Sequence, residues 1–171
     1  MALTDAFIGL GSNLENPGAQ LARAIAELAT LPNTKLAAQS PFYRSKPLGP
    51  QDQPDFINGC AWLKTSLPPL ELLDQLQAIE LAHGRERVQH WGPRTLDLDL
   101  LLYGNRVIDH PRLHVPHPEL PDRDFVLRPL LDLNPHLALP DGRYLSELLG
   151  RCPDNRLQRL EPARNPGSLP D

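Results

Sequence analysis

Cysteine is scarce: Cys60 and Cys152 are too few and too far apart in the chain for a disulfide framework or a thiolate metal cluster. Long apolar runs are missing too. Nothing approaches the ~20 residues of a membrane span, and Met1-Ala2-Leu3-Thr4-Asp5 lacks the basic, then apolar, start of a signal peptide, so a cytoplasmic protein is expected. There is no basic excess. Lys and Arg number 17 against 21 Asp and Glu, a formal net charge of −4, which leaves no global surface for a nucleic-acid backbone and confines any anion site to a local cluster. Aromatics make up only 5% of the chain whereas prolines number 20, a balance that favours shaped loops over a large aromatic core. The length of 171 residues, without internal repeats or low-complexity blocks, predicts one domain over 1–171, with 162–171 as a loose tail.

What is present concentrates between Arg85 and Tyr103. Up to Arg94 this stretch is a basic loop, with Gly84, Gly92 and Pro93 as breakers and Arg85, Arg87 and Arg94 around Trp91. From Thr95 it becomes a strand: Leu96, Leu98, Leu100 and Leu102 alternate with Thr95, Asp97, Asp99 and Leu101. The period of two puts both carboxylates on one face, with Cα atoms roughly 6.6 Å apart at ~3.3 Å per residue. Like charges so placed repel, and a divalent cation offsets that repulsion; Mg²⁺ is commonly held by one or two carboxylates plus substrate phosphates. An isolated Asp-Leu-Asp is more often a solvated strand edge, but three arginines and a tryptophan just upstream favour a phosphate site.

Around this stretch the chain reads as alternating strands and helices. Ala6 to Gly11 is a first strand, closed by Gly11-Ser12-Asn13; Asn16-Pro17 opens a helix with Leu21, Ile25 and Leu28 on one face, ending near Leu31 before Pro32. Leu36 to Tyr43 is a second strand, with Pro41 favouring an edge or bulge. A loop with three prolines, Ser45 to Asp55, leads to a third strand from Phe56 to Leu63. On that strand Asn58 can read a heterocycle edge with donor and acceptor while Phe56, two residues away, stacks on the ring; a capped strand start is an equal alternative. Ser66 is a candidate cap for a second helix with Leu72, Leu76 and Ile79 apolar, ending near Gly84, and Gln77 and Glu80 share one of its faces, either solvent or a pocket wall.

Gly104-Asn105 turns the chain toward Val107-Ile108, and His110-Pro111-Arg112-Leu113-His114-Val115-Pro116-His117-Pro118 follows. Three histidines at this spacing suggest zinc, but the prolines exclude a regular helix that would align them, and a loop aiming imidazoles and Arg112 at phosphates fits better. Arg123-Asp124-Phe125 continues this loop before a short helix from Val126 to Leu133 and a last helix from Ser146.

Phe42-Tyr43-Arg44-Ser45, Pro47 to Asn58, Arg85-x-Arg87, Trp91-Gly92-Pro93-Arg94-Thr95-Leu96-Asp97-Leu98-Asp99 and Val115-Pro116-His117 together resemble the 6-hydroxymethyl-7,8-dihydropterin pyrophosphokinase family of folate biosynthesis. The likeness runs from about Phe7 to Leu149. It implies an α+β fold with a ferredoxin-like βαββαβ core, a mostly antiparallel sheet flanked by helices, plus additional strands and helices. It implies transfer of diphosphate from ATP to the hydroxymethyl group of the pterin, leaving AMP, by a monomer that needs neither nucleic acid nor membrane. Position by position it implies two Mg²⁺ ions on Asp97 and Asp99, with Arg85 and Arg94 as catalytic phosphate contacts. Ser45, Leu48, Phe56, Asn58, Trp91 and Phe125 match the pterin pocket. Gln77, Glu80, Arg87, Leu100, Arg112, His114, His117, Pro118 and Arg123 match the ATP side, which Arg85, Trp91 and Arg94 share.

Two other readings are weaker. A nucleotidyltransferase also pairs Gly-Ser with Asp-x-Asp, but keeps the two motifs close together, whereas Gly11-Ser12 and Asp97 are separated by most of a domain. An RNA-binding module on the same frame wants basic and aromatic residues on its sheet, where this chain places two aspartates.

Overall fold

The first strand carries a different load on each side. β1 (Thr4–Ser12) turns Ala6, Ile8 and Leu10 into one apolar cluster and Phe7 into another, and period two puts Gly9 and Gly11 on the Phe7 side. A computed structural model describes residues 2–12, 17–45, 56–84, 96–154 and 156–160. After β1 come α1 (Pro17–Leu28), β2 (Thr34–Gln39), β3 (Tyr43–Ser45), β4 (Phe56–Thr65), α2 (Pro69–Ala82) and β5 (Asp97–Tyr103). A small hairpin of β6 (Ile108–His110) and β7 (Leu113–Val115), a 3₁₀ turn over Leu120–Asp122, α3 (Asp124–Leu133), α4 (Leu145–Arg151) and β8 (Gln158–Arg159) complete it.

The main sheet runs β5-β1-β4-β3-β8, with β2 also paired to β4, and every pairing is antiparallel. Taking β1, α1, β2, β4, α2 and β5 alone gives βαββαβ with the strands in ferredoxin-like order, so the expected α+β core is present and β3, β8, the hairpin, α3 and α4 are its additions. Helices α1 and α2 cover one sheet face. Leu21, Ala24, Ile25 and Leu28 of α1 and Leu72, Leu76 and Ile79 of α2, at helical spacing, pack against Ile8, Leu10, Leu98 and Leu100. The other face is shared out. Phe7, Cys60, Leu101 and Leu102 lie beneath Leu127 and Leu130 of α3 and Leu145 and Leu148 of α4. Each such fully buried leucine contributes roughly 1.5–3 kcal/mol of transfer free energy.

Several expected boundaries move for local reasons. The strand expected over Leu36 to Tyr43 is two strands broken at Pro41, which has no N–H to donate. Ser40 bridges the break: its N–H donates to the Cys60 carbonyl at 2.9 Å and its Oγ accepts from the Cys60 N–H at 2.9 Å. Helix α1 ends at Leu28 rather than Leu31, in a turn where the Thr30 hydroxyl donates to the Glu27 carbonyl. Helix α2 starts after Pro68, not at Ser66, whose N–H donates to the Asn33 carbonyl. His110 to Pro118, expected as a loop, forms the β6–β7 hairpin as far as Val115. Helix α3 begins at Asp124 and so takes in Phe125, and α4 begins at Leu145. The alternation of β5 also breaks: a register shift opposite Phe7 and Ile8 lets Leu101 and Leu102 both enter the α3–α4 cluster, so Leu102 does not share a face with Leu98 and Leu100. The Asn16 cap, Thr95, most of the proline loop and the 162–171 tail lie outside the described residues.

Tyr43 joins the sheet to the second helical layer by donating its hydroxyl proton to Asp132 Oδ2 of α3. Burial, then this bond, pushes its pKa up to about 12. A raised folded-state value means the contribution is intact below the unfolded tyrosine value of about 10 and is lost as pH rises through 12. Urea titrations should therefore show stability falling between about pH 10 and 12 in the wild type and less steeply in Tyr43→Phe. Parallel pH profiles for the two proteins would contradict this role.

Candidate active site

The carboxylates of β5 owe their direction to its register on β1. Asp97 pairs with Gly11 and Asp99 with Gly9, so each aspartate lies beside a residue with no side chain. On the far side of β1, Asn58 pairs with Gly11 and Cys60 with Gly9. Directly paired residues project to the same face, so Asp97, Gly11 and Asn58 form one row and Asp99, Gly9 and Cys60 the next. The second row is half core: Cys60 is buried beneath α3, its thiol 4.0 Å from the Val126 carbonyl, while Asp99 is exposed and Asp97 half-buried. Burial raises the Cys60 thiol well above its ordinary value, which keeps it protonated and inert.

Both glycines are closely approached by side chains. A Cβ on Gly11 would stand 3.0 Å from Asn58 Nδ2, and one on Gly9 3.2 Å from Leu101 Cδ1. The Asn58 amide thus lies over Gly11, toward Asp97. Ser45 fixes its orientation by donating its hydroxyl proton to Asn58 Oδ1 at 3.0 Å, which leaves Nδ2 as a donor on the Gly11 side. Phe56 pairs with Ser45 and shares the face of Asn58. The structure therefore brings together Ser45, Phe56, Asn58, Asp97 and Asp99 from three strands.

Of the residues expected on the nucleotide side, Gln77, Glu80 and Arg112 lie at the other flank of β5. Glu80 of α2 accepts the Leu98 backbone N–H at 2.8 Å through Oε2. Arg112, at the hairpin turn, donates to Asp74 Oδ1 at 2.6 Å and Gln77 Oε1 at 3.2 Å, so hairpin and helix are clasped through a cation. His117 Nδ1 accepts the Glu119 backbone N–H at 3.2 Å, which directs Nε2 outward, and the His117 N–H donates to the Leu101 carbonyl. His114 Nδ1 lies 3.1 Å from Asp109 on the exposed hairpin, and Pro118 is exposed beyond it. Arg123, at the cap of α3, pairs with Glu119 and lies with its guanidinium carbon 5.4 Å from the centre of the Phe125 ring. Leu100 stands apart: it is buried with Leu98 under α1 and α2, on the face opposite the carboxylates, so only its backbone is available to a ligand there. Leu48, Arg85, Arg87, Trp91 and Arg94 lie outside the described residues, which stop at Gly84, a positive-φ residue (84°) just beyond α2.

The donor set decides which metal the site suits. Among the described residues no three His, Cys, Asp or Glu side chains form a metal-holding group. The three hairpin-region histidines have separate partners, against a zinc site. Two strand carboxylates one residue apart instead offer a few hard oxygens and leave most of an octahedron to phosphate and water, the pattern of Mg²⁺.

Residues 7–135 match the family model of 7,8-dihydro-6-hydroxymethylpterin-pyrophosphokinase (HPPK). The chain belongs to the HPPK family. A 2-amino-4-hydroxy-6-hydroxymethyldihydropteridine pyrophosphokinase of Pseudomonas aeruginosa is 56% identical over 154 residues, 90% of this chain and 95% of that protein. The protein of the same name from Haemophilus influenzae is 48% identical over 92% of this chain and 98% of its own. Among solved structures, wild-type Plasmodium falciparum HPPK-DHPS with pteroate has a TM-score of 0.70 at 14% identity over 87% of this chain. That likeness is one of fold, and this chain spans only 42% of the solved chain. Two arrangements in this HPPK chain have no signal in the sequence: the Ser45–Asn58 bond and the tie from Glu80 to the β5 backbone.

Gly11→Ala should push the Asn58 amide off its place, weaken the Ser45 bond and cost about 1–3 kcal/mol as an overpacked site does. Side-chain amide resonances of Asn58 that do not move in this variant would contradict the packing described.

Proposed function

We propose that this HPPK chain transfers the β,γ-diphosphate of ATP to the hydroxyl of 6-hydroxymethyl-7,8-dihydropterin, with Asp97 and Asp99 as the metal-holding pair beside the pterin-reading residues Asn58, Ser45 and Phe56. The observation that carries the assignment is the shared face: phosphate-side carboxylates and heterocycle-side amide are separated only by Gly11. A hydroxymethyl group on a heterocycle held at Asn58 is then directed toward phosphates held at β5.

In the reaction the hydroxymethyl oxygen forms a bond to the β-phosphorus, the bond from that phosphorus to the α,β-bridging oxygen breaks, AMP leaves, and the hydroxyl proton is released. Such transfer depends on alignment and on neutralising charge more than on covalent help, because its transition state is loose with attacking and leaving oxygens in line. Asp97 and Asp99 would hold two Mg²⁺ ions, which when bound would supply neutralisation of the phosphate charge. Asn58, oriented by Ser45, fixes the pterin edge, and Phe56, Phe125 and Trp91 supply stacking surface. Arg85, Arg87 and Arg94 contact the phosphates, and Gln77, Arg112, His114, His117, Pro118 and Arg123 line the nucleotide side. Asp97 or Asp99 could take the hydroxyl proton. Leu48 completes the pterin pocket. The enzyme acts as a cytoplasmic monomer; among the described residues no helix is long and apolar enough to cross a membrane.

Incubation with ATP and Mg²⁺ should release AMP only when the pterin is added, and an Asp97→Ala/Asp99→Ala chain should lose this at least a thousandfold; ADP as the product would overturn the reading. Arg85→Ala and Arg94→Ala should each lower turnover by roughly tenfold to a hundredfold, the loss of one charge-assisted contact of ~1.5–3 kcal/mol. Near-normal turnover in both would remove the arginines from the site.

A further inference from the structure

Glu80 is tied to the strand that carries the two aspartates, and the inference rests on the metal-holding role proposed for Asp97 and Asp99. Among the described residues β5 is the edge strand of the main sheet: its one strand partner there is β1, and beyond that pairing its Leu101 carbonyl accepts the His117 N–H. On such an edge alternate N–H groups point away from the sheet and need another acceptor. Leu98 is the residue between the two aspartates, its side chain is buried, and its outward N–H is taken at 2.8 Å by Glu80 Oε2. The carboxylate comes from α2, whose Leu72, Leu76 and Ile79 are anchored in the core beneath the same strand. A rigid helix thereby grips the strand at the midpoint of Asp97-Leu98-Asp99.

We infer that Glu80 is a positioning residue: its carboxylate fixes the β5 backbone at Leu98 and so sets the separation and direction of the Asp97 and Asp99 carboxylates, rather than contacting the nucleotide by charge. Two carboxylates that share cations repel each other, and the strand bearing them sits at the sheet edge, where backbone bending is least restrained. A bond from the side opposite β1 removes that freedom. The tie requires an acceptor oxygen at this position and not a net charge, which separates it from an electrostatic role toward ATP.

The test compares Glu80→Gln, which keeps an acceptor oxygen, with Glu80→Ala, which does not. Two readouts are taken without turnover: amide hydrogen exchange at Leu98, and Mn²⁺ binding measured by electron paramagnetic resonance with α,β-methylene-ATP. In Glu80→Ala, exchange at Leu98 should accelerate roughly tenfold to a hundredfold and Mn²⁺ affinity should fall about tenfold, as expected when a buried N–H loses its acceptor. Glu80→Gln should keep both within about threefold of wild type. If Glu80→Ala does not fold, Glu80→Gln still decides: weak Mn²⁺ binding with unchanged exchange at Leu98 means a direct charge contact and overturns the inference. Unchanged exchange in a folded Glu80→Ala overturns it as well. Wild-type protein that binds Mn²⁺ with the nucleotide analogue but makes no pterin-dependent AMP would sink the proposed reaction while leaving the Glu80 tie standing.

Discussion

The antiparallel register that sets Asp97 against Gly11 and Asp99 against Gly9 is the constraint on which the site depends. Side chains alternate along a strand, so a slip of one residue would turn both carboxylates under α1 and α2 and bring Leu98 and Leu100 out to the site. Burying two unpaired carboxylates costs several kcal/mol each, and exposing two leucines forfeits roughly 1.5–3 kcal/mol apiece. The hydrophobic pattern that folds β5 is therefore also what aims its acids. Glycine at position 11 then leaves that face of β1 low enough for the Asn58 amide to lie across it, while glycine at position 9 leaves room for Leu101.

One sheet face thus serves two purposes, divided along the strands. Toward the Tyr103 end of β5 the face is core, closed by α3 and α4 over Phe7, Cys60, Leu101 and Leu102. Toward the Asp97 end it carries the polar row of Asp97, Gly11 and Asn58. The register shift near Leu101 marks the change, because an extra residue there lets two successive leucines point under the helices. A rigid core abutting the acids suits a reaction that depends on alignment, since groups on packed strands hold their positions better than groups on loops.

How much of this was legible in the sequence follows from the range of the interactions. The alternation from Leu96 to Leu100 marks the strand and the common face of Asp97 and Asp99, because period two is a local property, and it fails at Leu101 and Leu102, where the register shifts against β1. Helical spacing of Leu21, Ile25 and Leu28, and of Leu72, Leu76 and Ile79, likewise located both helices of the first layer. Local rules failed where distant partners replaced local ones: Ser66 was a plausible cap until its N–H was seen to serve Asn33, and the proline-rich histidine stretch folded into a hairpin held by Arg112 to α2. The break at Pro41 was visible, but its bridging by Ser40 and Cys60 joins residues twenty apart. The tie from Tyr43 to Asp132, across eighty-nine positions, had no local trace. Resemblance to the pyrophosphokinase family supplied the nucleotide and pterin assignments that periodicity could not. It grouped Leu100 and Glu80 with the ATP side, while the fold buries the first in the core and binds the second to the strand backbone.

Asp97 and Asp99 are proposed to hold the metal beside a heterocycle read by Asn58. Crystals grown with Mn²⁺, α,β-methylene-ATP and the pterin, measured at the manganese absorption edge, address it directly. Anomalous peaks within coordination distance of both carboxylates, with the pterin against Asn58, are the predicted result. Manganese held by other side chains, or a pterin remote from Asn58, would contradict the account.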